Sequence, residues 1–271
     1  ESLNPRNPPM SHRGSVSVCI PARNEEATVA SLVTAVREHP RADEVIVVDH
    51  ASTDATAERA AAAGARVLAA DGILAEFGPA LGKGDVLWRS VHAATGDVIV
   101  WLDADLRSYS PDYLSRLLAP LDDDDSIAMV RPDYQRTLHG QPSGGGRVTE
   151  STAKPALRSW HPHLSHIRQP LGGEYAIRRS VATSVPFEID YGVEIGLLID
   201  VAHTWGVTSI AQSRLPARVH RNRPDAELLE PSRQVLRTAK SRAGLAPTYS
   251  RPALRTLGAG THTRSWMPAT T

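Results

Sequence analysis

The run Val98-Ile99-Val100-Trp101-Leu102-Asp103-Ala104-Asp105 carries an apolar strand candidate into two carboxylates spaced i and i+2. Residues two apart on an extended chain face the same side, so Asp103 and Asp105 are presented together. Open α/β sheets place their ligands at the carboxyl ends of strands. Paired oxygen donors there suit a hard divalent cation, Mg2+ or Mn2+, of the kind that binds a diphosphate. Taken alone, the two residues are equally well explained as a solvated strand-end turn.

Two earlier strand ends repeat the pattern. The run 16–20 leads into Pro21-Ala22-Arg23-Asn24-Glu25-Glu26, a plausible ledge for a nucleoside. Val48-Asp49 precedes His50-Ala51-Ser52-Thr53-Asp54. Asp49 is placed to hydrogen-bond a base or ribose, whereas residues 52–54 also read as a helix cap.

Other segments add charge and close backbone. Gly82-Lys83-Gly84 sets an ammonium at a helix start, where N–H groups and the helix dipole favour a phosphate. It lacks the GxxxxGK[ST] spacing of a P-loop. Gly144-Gly145-Gly146-Arg147 with Thr149 offers N–H groups, a guanidinium and a hydroxyl for a small phosphate or carboxylate. Gly172-Gly173-Glu174 allows close backbone approach. Glu194 is favoured at a helix N-terminus for structural reasons alone. His220 stands in the polar cluster His220-Arg221-Asn222-Arg223, and a neutral imidazole can complete a metal shell with carboxylates. The other histidines, His161, His163 and His166 among them, read as structural or surface groups.

These residues need a scaffold. From residue 16, short β-branched runs alternate with Ala-rich stretches, the pattern of a mostly parallel, Rossmann-like α/β sheet with flanking helices. Strands are expected at 16–20, 44–48, 66–68 and 97–101, with a further apolar run at 127–131. Helices are expected near 25–38, 53–63, 83–93, 148–160, 193–205 and 226–242. Ser52-Thr53-Asp54 and Ser110-Pro111-Asp112 read as helix starts. Asp122 to Asp125 reads as a solvated turn, residues 140–146 as an irregular loop, and Trp88, Trp101, Trp160 and Trp205 as packing residues. The expected organisation is a flexible extension at 1–14, one domain at 15–246 with a nucleotide-sugar half (15–131) and an acceptor half (132–246), and a flexible tail at 247–271.

Composition narrows the function classes. The 271 residues suffice for a large core. Thirty Lys and Arg balance thirty Asp and Glu, which argues against nucleic acid or an anionic membrane held by a global field. Small anions then require a local cluster, for which Lys83, Arg147, Arg221 and Arg223 are candidates. The single cysteine, Cys19, excludes an internal disulfide. No apolar run reaches the roughly 18–20 residues of a membrane span, and residues 1–14 lack a signal-peptide core, with Met10 a candidate natural start. The expectation is a cytoplasmic, soluble protein.

The three strand ends together resemble the nucleotide-diphosphosugar transferases of the GT-A fold, in which PxxNEE, VDxxSTD and DxD motifs line one sugar-nucleotide site. With Gly82 to Ser90, Gly144 to Glu150, Gln169 to Tyr175, Tyr191 to Gly196 and His220 to Pro224, the chain from about Val16 to Arg242 is similar to the glucosyl-3-phosphoglycerate synthases of actinobacteria. That resemblance implies glucose transfer from UDP-glucose to a hydroxyl of 3-phosphoglycerate, with retention and no enzyme nucleophile. It implies a metal on Asp105 and His220, and catalytic roles for Asp105, Lys83 and Glu194. Pro21, Ala22, Arg23, Glu25, Asp49, Ser52, Lys83, Asp103 and Ala104 would surround the nucleotide. Gly172, Gly173, Glu174, Tyr191 and Glu194 would meet the sugar, and Gly146, Arg147, Thr149 and Asn222 the acceptor. A homodimer is compatible with it.

The chain departs from the pattern at Arg23, where an apolar residue is expected, and at His50-Ala51, where small polar residues are expected. It is also short, with an abbreviated loop before Gly144. A nucleoside or another specialised-metabolite hydroxyl is therefore an alternative acceptor. A nucleotidyltransferase or sugar-nucleotide-binding protein is the alternative of another class, and a non-catalytic interaction module a third reading.

Overall fold

The computed structural model describes residues 13–107, 109–134, 136–138, 141–143, 146–216 and 225–257. In chain order the elements are β1 (Val16–Ala22), α1 (Val29–Arg37), β2 (Glu44–Asp49), α2 (Thr56–Ala62), β3 (Arg66–Ala69), α3 (Lys83–Ala93), β4 (Val98–Trp101), α4 (Asp112–Asp123) and β5 (Met129–Asp133). There follow the hairpin β6 (Arg136–Leu138) and β7 (Gln141–Ser143), then α5 (Lys154–Trp160), β8 (Tyr175–Arg178), α6 (Arg179–Ala182), β9 (Phe187–Glu188), α7 (Val193–Trp205), β10 (Ile210–Arg214), α8 (Leu229–Arg242) and β11 (Ser250–Arg251).

Seven strands form one sheet in the order β10-β5-β8-β4-β1-β2-β3. All neighbours run parallel except β8, which is antiparallel to both β4 and β5. Strands buried on both faces read as continuous apolar runs, and alternate residues feed two cores. Val16, Val18 and Ile20 of β1 and Val98 and Val100 of β4 pack with α1 and α4. Cys19, Ile99 and Trp101 face α3, α5 and α7. Burial pushes the Cys19 thiol up to about 12, so it remains a protonated core side chain. Among the described residues, no helix is long and apolar enough to cross a membrane.

The mostly parallel sheet matches the sequence expectation, and α3 and α7 begin and end where the pattern places them. Other expectations change. Helix α2 starts at Thr56 because Ser52 and Thr53 face a neighbouring loop: the Ser52 hydroxyl accepts from the Asn24 N–H (3.0 Å), and Asn24 Oδ1 accepts from the Thr53 N–H (2.8 Å). Asp54 alone behaves as a cap, accepting from the Thr56 N–H at 3.0 Å. Asn24 and Ala51 take positive φ, 55° and 52°, to make this turn, a conformation that Asn tolerates better than Ala. Helix α4 starts at Asp112 with no side-chain cap from Ser110. Residues 122–125 are not a solvated turn throughout, since Asp122 and Asp123 form the end of α4 and Asp122 is paired with Arg41 at 2.6 Å. Within 140–146, residues 141–143 gain regular structure by pairing with 136–138. Trp205 is partly exposed, whereas Trp88 and Trp101 are buried.

The largest correction lies at the C-terminus. A tail without regular structure is expected from residue 247, yet Ser250–Arg251 pairs antiparallel with β9 and Arg251 is fully buried. The Trp88 indole donates to the Pro252 carbonyl at 2.8 Å, and the Arg255 N–H to that of Thr183 at 3.0 Å. The Pro/Thr/Arg-rich composition conceals these contacts because their partners lie far away in sequence.

The first turn of α3 is wedged against β9. A Cβ on Gly84 would stand 1.8 Å from the Glu188 carbonyl oxygen and 2.8 Å from Val193 Cβ, whereas one on Gly72 would meet nothing within 4 Å. Gly84→Ala is expected to cost about 1–3 kcal/mol or more and lower Tm by about 2–8 °C. Gly72→Ala is the control, with Tm within about 1 °C of the unaltered protein. Equal Tm values for the two variants in thermal unfolding would contradict this packing.

Candidate active site

The order β4-β1-β2 with parallel pairing sets three carboxyl ends side by side. The cleft they form has a volume of about 270 Å³ and is lined by Pro21, Ala22, Arg23, Glu25, His50, Gly82, Lys83, Val86, Asp103, Ala104, Asp105 and Tyr191. The structure thus brings together the expected nucleotide residues of β1, α3 and β4, the expected metal ligand Asp105 and the expected sugar residue Tyr191. Asp49 sits just behind. Its Oδ2 accepts from the Ser52 N–H at 3.3 Å, and its buried Oδ1 has no hydrogen-bond partner among the described residues. Ser52 does not line the cleft, and its hydroxyl is engaged by Asn24.

Lys83, the first residue of α3, forms the centre of the site. Its ammonium lies 3.0 Å from Asp103 Oδ1 and 2.6 Å from Glu194 Oε1, at the ends of β4 and the start of α7. Desolvation pulls its pKa down, but the two carboxylates outweigh that effect and hold it well above the ordinary lysine value. Lys83 therefore stays charged throughout the neutral range.

Asp103 is fixed from behind. A Cβ on Gly173 would lie 2.3 Å from both Asp103 carboxylate oxygens, and one on Gly172 would lie 2.4 Å from Pro132 Cγ. Only a glycine fits at position 173 beneath this carboxylate, while Gly172 packs against Pro132. The same turn is held by Arg131, fully buried in β5, whose Nη2 donates to the carbonyls of Gln169 (3.3 Å), Pro170 (2.9 Å) and Gly172 (2.9 Å). Its guanidinium also lies 4.4 Å from the Tyr175 ring centre. Sequence reasoning missed Arg131, since a lone arginine in an apolar strand carries no local signal. It also missed the buried Asp85 and Arg89 of α3, and it noted His50 only as a departure. The His50 Nε2 lies 3.1 Å from the Ala80 carbonyl oxygen.

Glu174 and Thr149 are buried, and Arg147 is exposed at the head of the segment leading into α5. Gly146, Arg147, Thr149, Gly172, Gly173 and Glu174 do not line the 270 Å³ cleft. The expected metal ligand His220, the acceptor residue Asn222, the cations Arg221 and Arg223, and Gly144 and Gly145 lie outside the described residues.

Of the cations expected to gather around a small anion, Lys83 lines the cleft, Arg147 does not, and Arg221 and Arg223 lie outside the described residues. The lining carries Arg23 and Lys83 against Glu25, Asp103 and Asp105, with Glu194 on the far side of Lys83. The oxygen-donor chemistry of Asp103 and Asp105 fits a hard divalent cation. Among the described residues, no group of three or more His, Cys, Asp or Glu could hold a metal ion.

Residues 17–189 match glycosyl transferase family 2. The chain belongs to that family. It is 48% identical over 238 residues to the glucosyl-3-phosphoglycerate synthase of Mycolicibacterium smegmatis, covering 86% of this chain and 78% of that protein. It matches the crystal structure of the Mycobacterium tuberculosis glucosyl-3-phosphoglycerate synthase in complex with Mn2+, UDP-glucose and phosphoglyceric acid with a TM-score of 0.83 and 41% identity, covering 90% of this chain and 91% of that one. The same enzyme with Mn2+, UDP-glucose and glycerol 3-phosphate gives a TM-score of 0.83 at 40% identity, with the same coverage. The protein is a glycosyltransferase of the GT-A fold, similar in sequence and structure to glucosyl-3-phosphoglycerate synthases.

Lys83→Met leaves Asp103 and Glu194 facing each other without the shared cation. Turnover is expected to fall about 10²–10³-fold, the scale of losing a preorganised electrostatic group. Because the Lys83 pKa is raised, the unaltered enzyme should show no break from this residue between roughly pH 6 and 9. A pH–rate inflection in that window that vanishes in Lys83→Met would contradict the assignment.

Proposed function

We propose that the protein transfers glucose from UDP-glucose to a hydroxyl of 3-phosphoglycerate in a divalent-metal-dependent reaction. The observation that carries this reading is the cleft at the ends of β1, β2 and β4, where Asp103, Asp105 and Lys83 converge. The likeness to synthases that bind Mn2+, UDP-glucose and phosphoglyceric acid or glycerol 3-phosphate supports the substrates.

Pro21, Ala22, Arg23 and Glu25 would flank the nucleoside, with Asp49 Oδ1 accepting from a base N–H or a ribose hydroxyl. Asp105, assisted by Asp103 and joined by His220, would hold Mg2+ or Mn2+, which when bound neutralises charge on the leaving diphosphate. Lys83 would add a fixed positive charge beside the departing oxygen, in a site where preorganised charge counts for more than in water. Glu194 would accept from glucose hydroxyls beside Glu174 and Tyr191, and Gly172 and Gly173 would shape the sugar pocket indirectly, by letting Pro132 and Asp103 pack against their turn. The Gly146 N–H, the Arg147 guanidinium, the Thr149 hydroxyl and the Asn222 amide would grip the acceptor phosphate.

In this scheme the acceptor oxygen bonds to the anomeric carbon as the bond to the diphosphate breaks, and the departing phosphate oxygen takes the acceptor proton. No enzyme nucleophile is required, and attack on the same face retains configuration. The reading extends to a cytoplasmic enzyme acting on small molecules, as a homodimer.

Two measurements test this function. With UDP-glucose, 3-phosphoglycerate should be glucosylated with retention, read from the anomeric proton by NMR, and EDTA should abolish turnover until Mn2+ or Mg2+ is restored. Turnover with nucleosides alone would overturn the acceptor, and full activity in EDTA the metal. Arg147→Ala should raise the acceptor KM about 10–150-fold, the scale of a lost charge-assisted hydrogen bond, while leaving the UDP-glucose KM within about twofold. Equal changes in the two constants would remove Arg147 from the acceptor site.

A further inference from the structure

The C-terminal strand β11 contributes no lining residue to the cleft, yet it is bonded to both segments that present the charged groups. Along one route, β11 pairs with β9 in the register Ser250↔Glu188 and Arg251↔Phe187, and the Ile189 N–H donates to the Tyr249 carbonyl at 3.1 Å. Strand β9 continues directly through Ile189, Asp190, Tyr191 and Gly192 into α7; Tyr191 of this link lines the cleft, and Glu194 of α7 meets Lys83.

The other route runs through Asp85. The Arg251 guanidinium grips this buried carboxylate with both forks, Nε to Oδ1 at 2.9 Å and Nη2 to Oδ2 at 2.6 Å. Asp85 Oδ2 in turn accepts from the Leu81 N–H at 3.0 Å, and the Asp85 N–H donates to the Ile189 carbonyl at 3.1 Å. Asp85 thus closes the turn Leu81-Gly82-Lys83 and ties it to the end of β9. Asp85, Arg89 and Arg251 are all fully buried.

Arg89 does not duplicate this role. Its Nε contacts Asp85 Oδ1 at 3.3 Å, while its remaining donors hold the carbonyls of Ala70 (3.0 Å), Ile73 and Gly78 (2.6 Å) in the loop after β3. Arg251 is the bidentate counter-ion of Asp85, and a bidentate fork fixes orientation as well as charge. Its guanidinium is further enclosed by Trp88 and Phe77, with ring centres 5.5 and 5.8 Å away.

We propose that Arg251 is a positioning residue: by clamping Asp85 from β11, it holds the start of α3 and the start of α7 in the register that places the Lys83 ammonium between Asp103 and Glu194. The displacement of a catalytic group by about 1 Å can cost about 10²-fold in rate, so this clamp acts on turnover without touching substrate. The proposal rests on the proposed glucosyl transfer only where turnover is read.

The primary test is independent of substrate. In the full chain, Arg251→Met and Arg251→Gln are treated with an amine-acetylating reagent well below their Tm, and the labelling rates of Lys83, Lys154 and Lys240 are compared by peptide mass spectrometry. Local loosening of the clamp should speed Lys83 labelling about fivefold or more relative to the other two lysines, and Arg251→Lys should restore most of the protection. In the same samples, kcat per UDP-binding site should fall about tenfold or more, with the Kd for UDP within about twofold. Unchanged relative labelling of Lys83 in whichever variant folds overturns the proposal. So does a fall in activity that follows only the number of UDP-binding sites. Loss of turnover in the unaltered chain would count against the proposed function, while the labelling comparison would still decide the clamp.

Discussion

One ammonium shared by two carboxylates organises this site. Lys83 is the meeting point of β4 through Asp103, α3 through its own backbone and α7 through Glu194, three elements remote from one another in sequence. Of the three groups Glu194 is buried while Lys83 and Asp103 open onto the cleft, so the shared ammonium chiefly offsets the cost of burying the Glu194 carboxylate. The fold around Lys83 is consequently constrained in detail: a glycine beneath Asp103, a glycine where α3 meets β9, and a carboxylate at position 85 that turns the chain back on itself. Each is a condition for three charged groups to meet in a small space.

What the sequence revealed follows from the range of the interactions. Strands β1, β2 and β4 announce themselves through continuous apolar runs ending in polar residues, so the parallel half of the sheet and the expected Pro21–Asp105 constellation were legible. Helices α3 and α7 were legible because Gly82 and Gly206 bracket strong local patterns. Strand β8 escaped because four residues following a glycine turn carry no period of their own and become a strand only by fitting between β4 and β5. Strand β11 escaped for the same reason in stronger form, since Arg251 looks like a tail residue until Asp85, 166 positions earlier, is seen beside it. Ser52 and Thr53 were misread because capping residues and loop-latching residues are chemically the same.

The balanced composition acquires a local meaning as well. Equal numbers of acidic and basic residues do not spread evenly: Arg89, Arg131, Arg242 and Arg251 are turned inward, where they hold carbonyls or buried carboxylates. Arg242, for example, joins Glu188 and Asp200 between β9, α7 and α8. Part of the basic content thus serves architecture, and among the described residues the cleft lining carries more carboxylates than cations.

The exchange between Asn24 and residues 52 and 53 bears on the thermodynamics of binding. Two loops at adjacent strand ends are joined side chain to backbone in both directions, with Asn24 held in a left-handed conformation that is uncommon for residues other than glycine. A surface assembled beforehand surrenders little conformational freedom when a ligand settles on it, and ordering costs of about 0.5–1.5 kcal/mol per side chain are avoided. The turn joining the ends of β1 and β2 is accordingly fixed by its own hydrogen bonds, and a ligand settling beside it would have little of this segment left to order.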